Sequence, residues 1–274
     1  MFILDLADNI GNRIGSVVRY TLQTWTMVYV SFRSVIINRK HNSFREIFKV
    51  ISTQIYFTGF QALPLISMLA LIAGTLIIIQ SSSQLSKVGG GDMLGNLVVV
   101  LIIRELGPLM TALVVIARSG TAIASELGNM KVNGEIDALE SMGINPLSYI
   151  VFPRLLGGII SVVCLALYFC IVALFGGYFI GQFVQPISFS FYIDSIAYAI
   201  SSADVWLFLL KNLFSGGMIF IICCYQGLLV KQSFTEVPQV TTKAVVNSIM
   251  YTVGFNSLVS LSVYLQNLRQ LGLI

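Results

Sequence analysis

The sequence predicts an all-α polytopic membrane protein. It has an interfacial helix at the N-terminus, about five transmembrane helices, and a short cytoplasmic helix between the second and third spans. Three observations carry this. Of 274 residues, 56% are hydrophobic and only 10% are charged, with a mean hydropathy of +0.87; soluble domains carry about 25% charged residues. The apolar residues fall in long runs, several reaching the ~20 residues that a helix needs to cross ~30 Å of hydrocarbon. The most polar long segment, Arg118–Arg154, lies between two of the strongest runs.

Taken in order, the chain reads as one domain over 1–274, with an interfacial region over 1–50 and a transmembrane bundle over 51–274. The start, MFILDLADN, has no basic residues before its apolar ones and carries Asp5 and Asp8. That argues against a transit peptide and leaves insertion to the spans themselves. Over 14–37, Arg19, Gln23, Thr26 and Arg33 form a polar stripe, and Trp25, Tyr29, Phe32 and Ile36 an aromatic-aliphatic one. A helix of this type lies in the membrane interface; a tilted span is the alternative, against which stand two arginines that would be costly inside the membrane. The basic run from Asn38 to Lys49 marks the cytoplasmic side.

The first span is predicted from about Ile51 or Gly59 to Ile79, interrupted by Pro64 and Gly74. Gln80–Asp92 reads as a polar external loop; its glycines at 89–91 lack the Gly-Lys-Ser/Thr of a phosphate loop. The second span covers about Met93–Ala117, the third Leu155–Phe183, the fourth Val205–Val230 and the fifth Ala244–Leu265. Pro186–Asp204 reads as an aromatic-rich external loop, with Tyr192 and Tyr198 suited to the interface, and Thr241 or Thr242 as the N-cap of the fifth helix. Lysine and arginine concentrate in the segments assigned to the cytoplasm, leaving Lys87, Lys211 and Arg269 outside. The N-terminus is therefore placed inside and the C-terminus outside.

Between the second and third spans, Val132, Ile136, Leu139 and Gly143 share one helical face, with Asp137 and Glu140 off it. Gly143 and Pro146 supply stop signals. The result is an amphipathic helix of about three turns. It reads either as an ordinary solvated loop helix, the reading composition alone favours, or as a docking helix whose apolar ridge needs a protein partner to cover it. Within the second span stand Arg104 and Glu105, where a charge costs about 2.5–3.5 kcal/mol. Each needs a partner on another helix or a water-filled cavity. Pro108 removes the donor that would have bonded the Arg104 carbonyl, so a kink and a free acceptor are expected at the same level.

Other residue types point to no chemistry of their own. Cys164, Cys170, Cys223 and Cys224 lie in apolar runs without metal-ligand spacing. Gly157, Gly158, Gly176, Gly177, Gly181, Gly216 and Gly217 suit close helix packing. His41, the single histidine, sits in the basic loop, so no Ser–His pair is predicted and no catalytic residue is assigned. No basic-aromatic patch suggests nucleic acid.

The segment RELGPLMTALVVIARSGTAIAS, Arg104–Ser125, runs into ELGNMKVNGEIDALESMGINPLSYIVFPR. Together they resemble the MlaE (YrbE-type) permease family, membrane subunits of ABC transporters that move phospholipid or related lipids across the Gram-negative envelope. The likeness is dense from about Arg104 to Pro153 and resumes weakly from Tyr225 to Val246. Two departures stand out: Gly134 where an acidic residue is expected, and Asn256 where the last span usually carries Asp.

The resemblance implies a non-catalytic permease in the bacterial inner membrane, acting on membrane lipid. It implies a second copy of the chain in the transmembrane core and an ABC ATPase that holds the ATP and Mg. It implies a periplasmic MCE-domain protein, and, as is common in the family, a STAS-domain accessory. With that ATPase, coupling falls to Glu126, Met130, Val132, Glu135, Ile136, Asp137, Leu139, Gly143 and Pro146. Arg104 and Glu105, with Pro108, read from their own positions either as a structural ion pair that locks the bundle or as a polar lining of a lipid path. The rivals are a proton-coupled secondary transporter with Glu105 as carrier, and an intramembrane lipid-modifying enzyme using Arg104 and Glu105.

Overall fold

The computed structural model describes residues 21–27, 29–31, 33, 44–88, 93–184, 186–231 and 233–270. Every regular element among them is a helix. Five helices are long and apolar enough to cross a membrane: Phe48–Leu85, Leu94–Val132, Leu147–Gly181, Ser202–Leu228 and Glu236–Gln266, the first to fifth spans. Arg19, Phe32, Ile36, Asn38–His41 and Gly89–Gly91 lie outside the described residues.

The first span is broken at Gly59, not at Gly74. A helix over Phe44–Thr58 ends there, a single 3-10 turn covers Phe60–Ala62, and a second helix runs over Leu63–Val88. Arg118 binds the break: its Nη1 donates to the Phe57 carbonyl at 2.9 Å and its Nη2 to Gln61 Oε1 at 2.6 Å. A helix end leaves such carbonyls without partners. Pro64 sits in the first turn of the second helix, where its missing N–H costs little. Gly74 marks close packing: a Cβ there would run into the Ala173 carbonyl, and one at Gly177 into the Gly74 backbone. Two backbones meet there as small residues allow in lipid.

The predicted loop from Gln80 is helical as far as Val88. The serines at 81–83 do not stop a helix that is already long, because adding a residue to a formed helix gains a hydrogen bond without a new nucleation cost.

The second span also runs further than its apolar stretch predicts, to Val132 and not Ala117. The extension is amphipathic. Ile123, Ala124, Leu127 and Gly128 are buried, and a Cβ at Gly227 would meet Leu127 and the Ala124 carbonyl. Burial against the fourth span therefore carries the helix past the hydrophobic run.

The fourth span is the most buried of the five and forms the centre of the bundle. Gly158 of the third span faces the Phe220 ring, and Gly216 faces Ile159. The fifth helix begins at Glu236, so Thr241 and Thr242 do not cap it. Their hydroxyls bond back to the Val237 and Pro238 carbonyls at 2.8 and 2.9 Å.

The segment read as an external loop holds a helix, Phe189–Ala199. Tyr198 is 91% exposed, as an interfacial tyrosine should be, but Tyr192 is fully buried. Its ring stacks on Tyr178 at 4.7 Å and its hydroxyl donates to the Leu174 carbonyl at 3.1 Å. Burial, with Tyr178 beside it, pushes the Tyr192 hydroxyl pKa up. Tyr192 thus pins this helix to the third span.

Candidate functional site

Arg104 stands ten residues inside the second span, about 15 Å from its start at 1.5 Å per residue. It and Glu105 point about 100° apart, and both find counter-charges on the fourth span. Arg104 Nε lies 2.5 Å from Asp204 Oδ1; this is an ion pair whose N–H is not aligned as a hydrogen bond. Asp204 is 2% exposed. Its Oδ2 accepts the Ser201 backbone N–H at 2.9 Å, completing a capping box with the Ser201 side chain. One carboxylate both starts the fourth helix and neutralises Arg104.

Lys211, 3% exposed, supplies the second counter-charge. Its Nζ donates to the Arg104 carbonyl at 2.7 Å, to Glu105 Oε1 at 3.2 Å and to Ser260 Oγ at 2.8 Å. An ammonium has three donors, and all three are used. The carbonyl that Pro108 leaves free is thus taken by a cation from another helix. The second span accommodates the proline with a π-helical stretch over Val99–Leu106. Ser260 Oγ, from the fifth span, lies 2.8 and 2.9 Å from the two Glu105 oxygens.

These residues face a cavity of about 470 Å³ between the second, fourth and fifth spans, lined also by Leu109, Ser257 and Tyr264. The Arg104 and Glu105 side chains are 23% and 34% exposed. Among the described residues, nothing hydrogen-bonds the two terminal amino groups of Arg104. Asn256 is buried beside this cluster. Its amide donates to Ser215 Oγ at 3.0 Å and to the Thr252 carbonyl at 2.8 Å. An ionised Asp has no such donors, so the departure at 256 fits its surroundings.

The loop between the second and third spans is built differently from the sequence expectation. The helix covers only Glu135–Ser141, about two turns, because glycines in left-handed conformation bound it: Gly134 at φ 74° and Gly143 at φ 75°. An acidic side chain at 134 would strain the backbone, which accounts for the glycine there. At the far end, Gly143 N–H bonds the Glu140 carbonyl and Ile144 N–H the Leu139 carbonyl, the Schellman arrangement. Asn145 Oδ1 then accepts the Leu147 N–H at 2.9 Å and opens the third span.

The predicted apolar ridge is not free. Ile136 is 4% exposed and Leu139 packs on the core, because the helix folds back onto the bundle. The exposed face carries Glu135, Asp137, Ala138 and Glu140, followed by Met142 at 66% exposure. Two ion pairs fix the loop, Lys131–Asp137 at 2.6 Å and Arg154–Glu126 at 2.7 Å. Met130 and Val132 are half-buried and Pro146 is buried. A cavity of about 630 Å³ opens beside the helix, lined by Lys131, Ile136, Glu140, Pro146 and Leu228.

Sequence reasoning missed Asp204, Lys211 and Ser260. Lys211 counts as external in the sequence reading because it lies near the start of the fourth apolar run, although a lone lysine inside such a run is itself a signal. Asp204 closes a Ser-x-x-Asp pattern just before an apolar run, the spacing of a capping box.

The fold and site define a five-span helical membrane protein with a charged intramembrane cavity and an ordered polar loop at one end. The family description "Permease MlaE" matches residues 51–262. A probable ABC transporter permease protein of Rickettsia felis is 33% identical over 211 residues, 77% of this chain and 82% of the relative. The intermembrane phospholipid transport system permease protein MlaE of Haemophilus influenzae is 27% identical over 213 residues, 77% of this chain and 82% of the relative. The chloroplastic protein TRIGALACTOSYLDIACYLGLYCEROL 1 of Arabidopsis thaliana is 28% identical over 197 residues, covering 72% and 56%. The chain belongs to the MlaE family of ABC transporter permeases.

Proposed function

We propose that this chain moves phospholipid, or a closely related lipid, between the inner membrane and a periplasmic MCE-type carrier. A separate ATPase subunit powers the movement, with ATP and Mg bound there. A second copy of the chain completes the transmembrane core, and a STAS-domain protein joins on the cytoplasmic side. The N-terminus and the loop helix Glu135–Ser141 are cytoplasmic, and the outer helix Phe189–Ala199 is periplasmic.

The observation that carries this reading is the cavity at Arg104. Among the described residues it offers a guanidinium edge with no hydrogen-bond partner, within a membrane span, and guanidinium binds phosphate bidentately. The loop supports the second half of the reading. Its glycine-bounded helix, tied to Lys131 through Asp137 and flanked by the Arg154–Glu126 pair between the spans, presents a fixed acidic face that a cytoplasmic subunit can grip.

Purification of the chain from its native membrane tests the proposal. A stoichiometric ATPase and bound phospholipid, seen together by native mass spectrometry, are expected. A chain that purifies alone and drives lipid movement from a proton gradient contradicts it and favours the proton-coupled reading.

A further inference from the structure

The formal charges around the cavity cancel: Arg104 and Lys211 against Glu105 and Asp204. The four groups are not equally available. Lys211 has spent its three donors on Arg104, Glu105 and Ser260. Asp204 is 2% exposed and held by the Ser201 N–H. Open to the cavity are the terminal amino edge of Arg104 and the carboxylate of Glu105, which is 34% exposed. Glu105 accepts from Lys211 and Ser260, yet a carboxylate has about four acceptor sites.

We infer that this cavity selects a zwitterionic headgroup, its phosphate on Arg104 and its ammonium on Glu105, over a headgroup of net negative charge. The inference rests on the lipid-path reading above. The reason is charge balance in a poorly solvated place. A phosphate alone brings a negative charge into a cluster that is already neutral, with Asp204 directly behind the arginine. Stranded charge is costly where water is excluded. An aminophospholipid brings its own compensating cation, and Glu105 is the accessible anion that receives it. Asp204 therefore acts as a specificity-determining residue without touching the lipid.

The experiment uses the assembled transporter in nanodiscs of equimolar phosphatidylethanolamine and phosphatidylglycerol with identical acyl chains. Bound and ATP-dependently transferred lipids are quantified by mass spectrometry. The wild type should favour phosphatidylethanolamine by ~5-fold, the scale of one hydrated charge–charge contact. Asp204→Asn keeps an acceptor for the Ser201 N–H but leaves the cluster one charge positive, so the ratio should move toward phosphatidylglycerol. Glu105→Gln makes the same change of charge and should move it the same way. Ser201→Ala perturbs the cap without altering charge and should leave the ratio unchanged. Equal use of the two lipids by the wild type, or no shift in both charge variants, overturns the inference. Arg104→Ala combined with Asp204→Asn, which leaves no stranded carboxylate, separates it from the reading beneath: transfer of both lipids unaffected by that double change removes the cavity from the lipid path. Transfer lost for both, together with an unselective wild type, leaves the path standing and removes only the headgroup preference.

Discussion

The Lys211 ammonium donates to the Arg104 backbone carbonyl at 2.7 Å, across more than a hundred residues of sequence. Pro108 creates that acceptor by withholding the donor one helical turn on. The same ammonium reaches Glu105 Oε1 at 3.2 Å. A helix defect and a charge pair are thereby solved by one side chain.

Removing Lys211 should therefore unsettle the bundle. Lys211→Met leaves the Arg104 carbonyl and the Glu105 carboxylate without their cation. Breaking a buried pair costs about 3–5 kcal/mol, reduced here because Glu105 is a third exposed. The yield of assembled complex should fall, and Lys211→Met with Glu105→Gln should recover much of it. Size-exclusion chromatography of the detergent-extracted complex measures this.

On the proposed function, the loop between the second and third spans should hold its partner by its exposed face. Glu140→Lys and Met142→Asp are expected to weaken co-purification of the ATPase while the permease remains inserted. Leu139→Asp should act differently, loosening the loop itself, since Leu139 packs on the core. Pull-down together with limited proteolysis of the loop distinguishes the two. Unchanged ATPase recovery in both exposed-face variants would move the docking surface elsewhere.

Gly134 should resist substitution. At φ 74° a side chain costs about 1–2 kcal/mol, and Gly134→Val combines that cost with a β-branch. Thermal melting of the complex should drop, although a Cβ at this position meets nothing within 4 Å. A melting temperature equal to wild type would mean that the turn is not held in this conformation.

Orientation is tested by labelling. Ser83, in the predicted external loop, turns out to lie in a helix, so Tyr198 is the better outer marker and Ser141 the inner one. With the four native cysteines replaced, an impermeant thiol reagent on spheroplasts should label Tyr198→Cys and spare Ser141→Cys. The opposite pattern reverses the topology.

Hydropathy made the five spans legible, because lipid demands long uncharged helices and little else. Their ends were less so. Amphipathic packing extended the second span to Val132, and the fifth began at Glu236, well before its apolar run. At the site, the sequence made clear that Arg104 and Glu105 needed partners, but not which ones. Asp204 and Lys211 lie about a hundred positions away, and only the packing of the fourth span on the second brings them within reach. The loop helix was legible as amphipathic, but periodicity does not say whether the apolar face meets a partner or the protein's own core. The burial of Ile136 answers for the core.

The Arg104 cavity as the lipid path is decided by one comparison. Arg104→Ala alone strands the buried Asp204 carboxylate, so the informative variant pairs it with Asp204→Asn. ATP-driven phospholipid transfer is measured per assembled complex in proteoliposomes. Loss of at least about tenfold is predicted, the scale of one charge-assisted contact of about 1.5–3 kcal/mol, with ATP hydrolysis retained but no longer stimulated by lipid. Transfer at the wild-type rate by a fully assembled double variant would contradict the assignment and leave these charges a purely structural role.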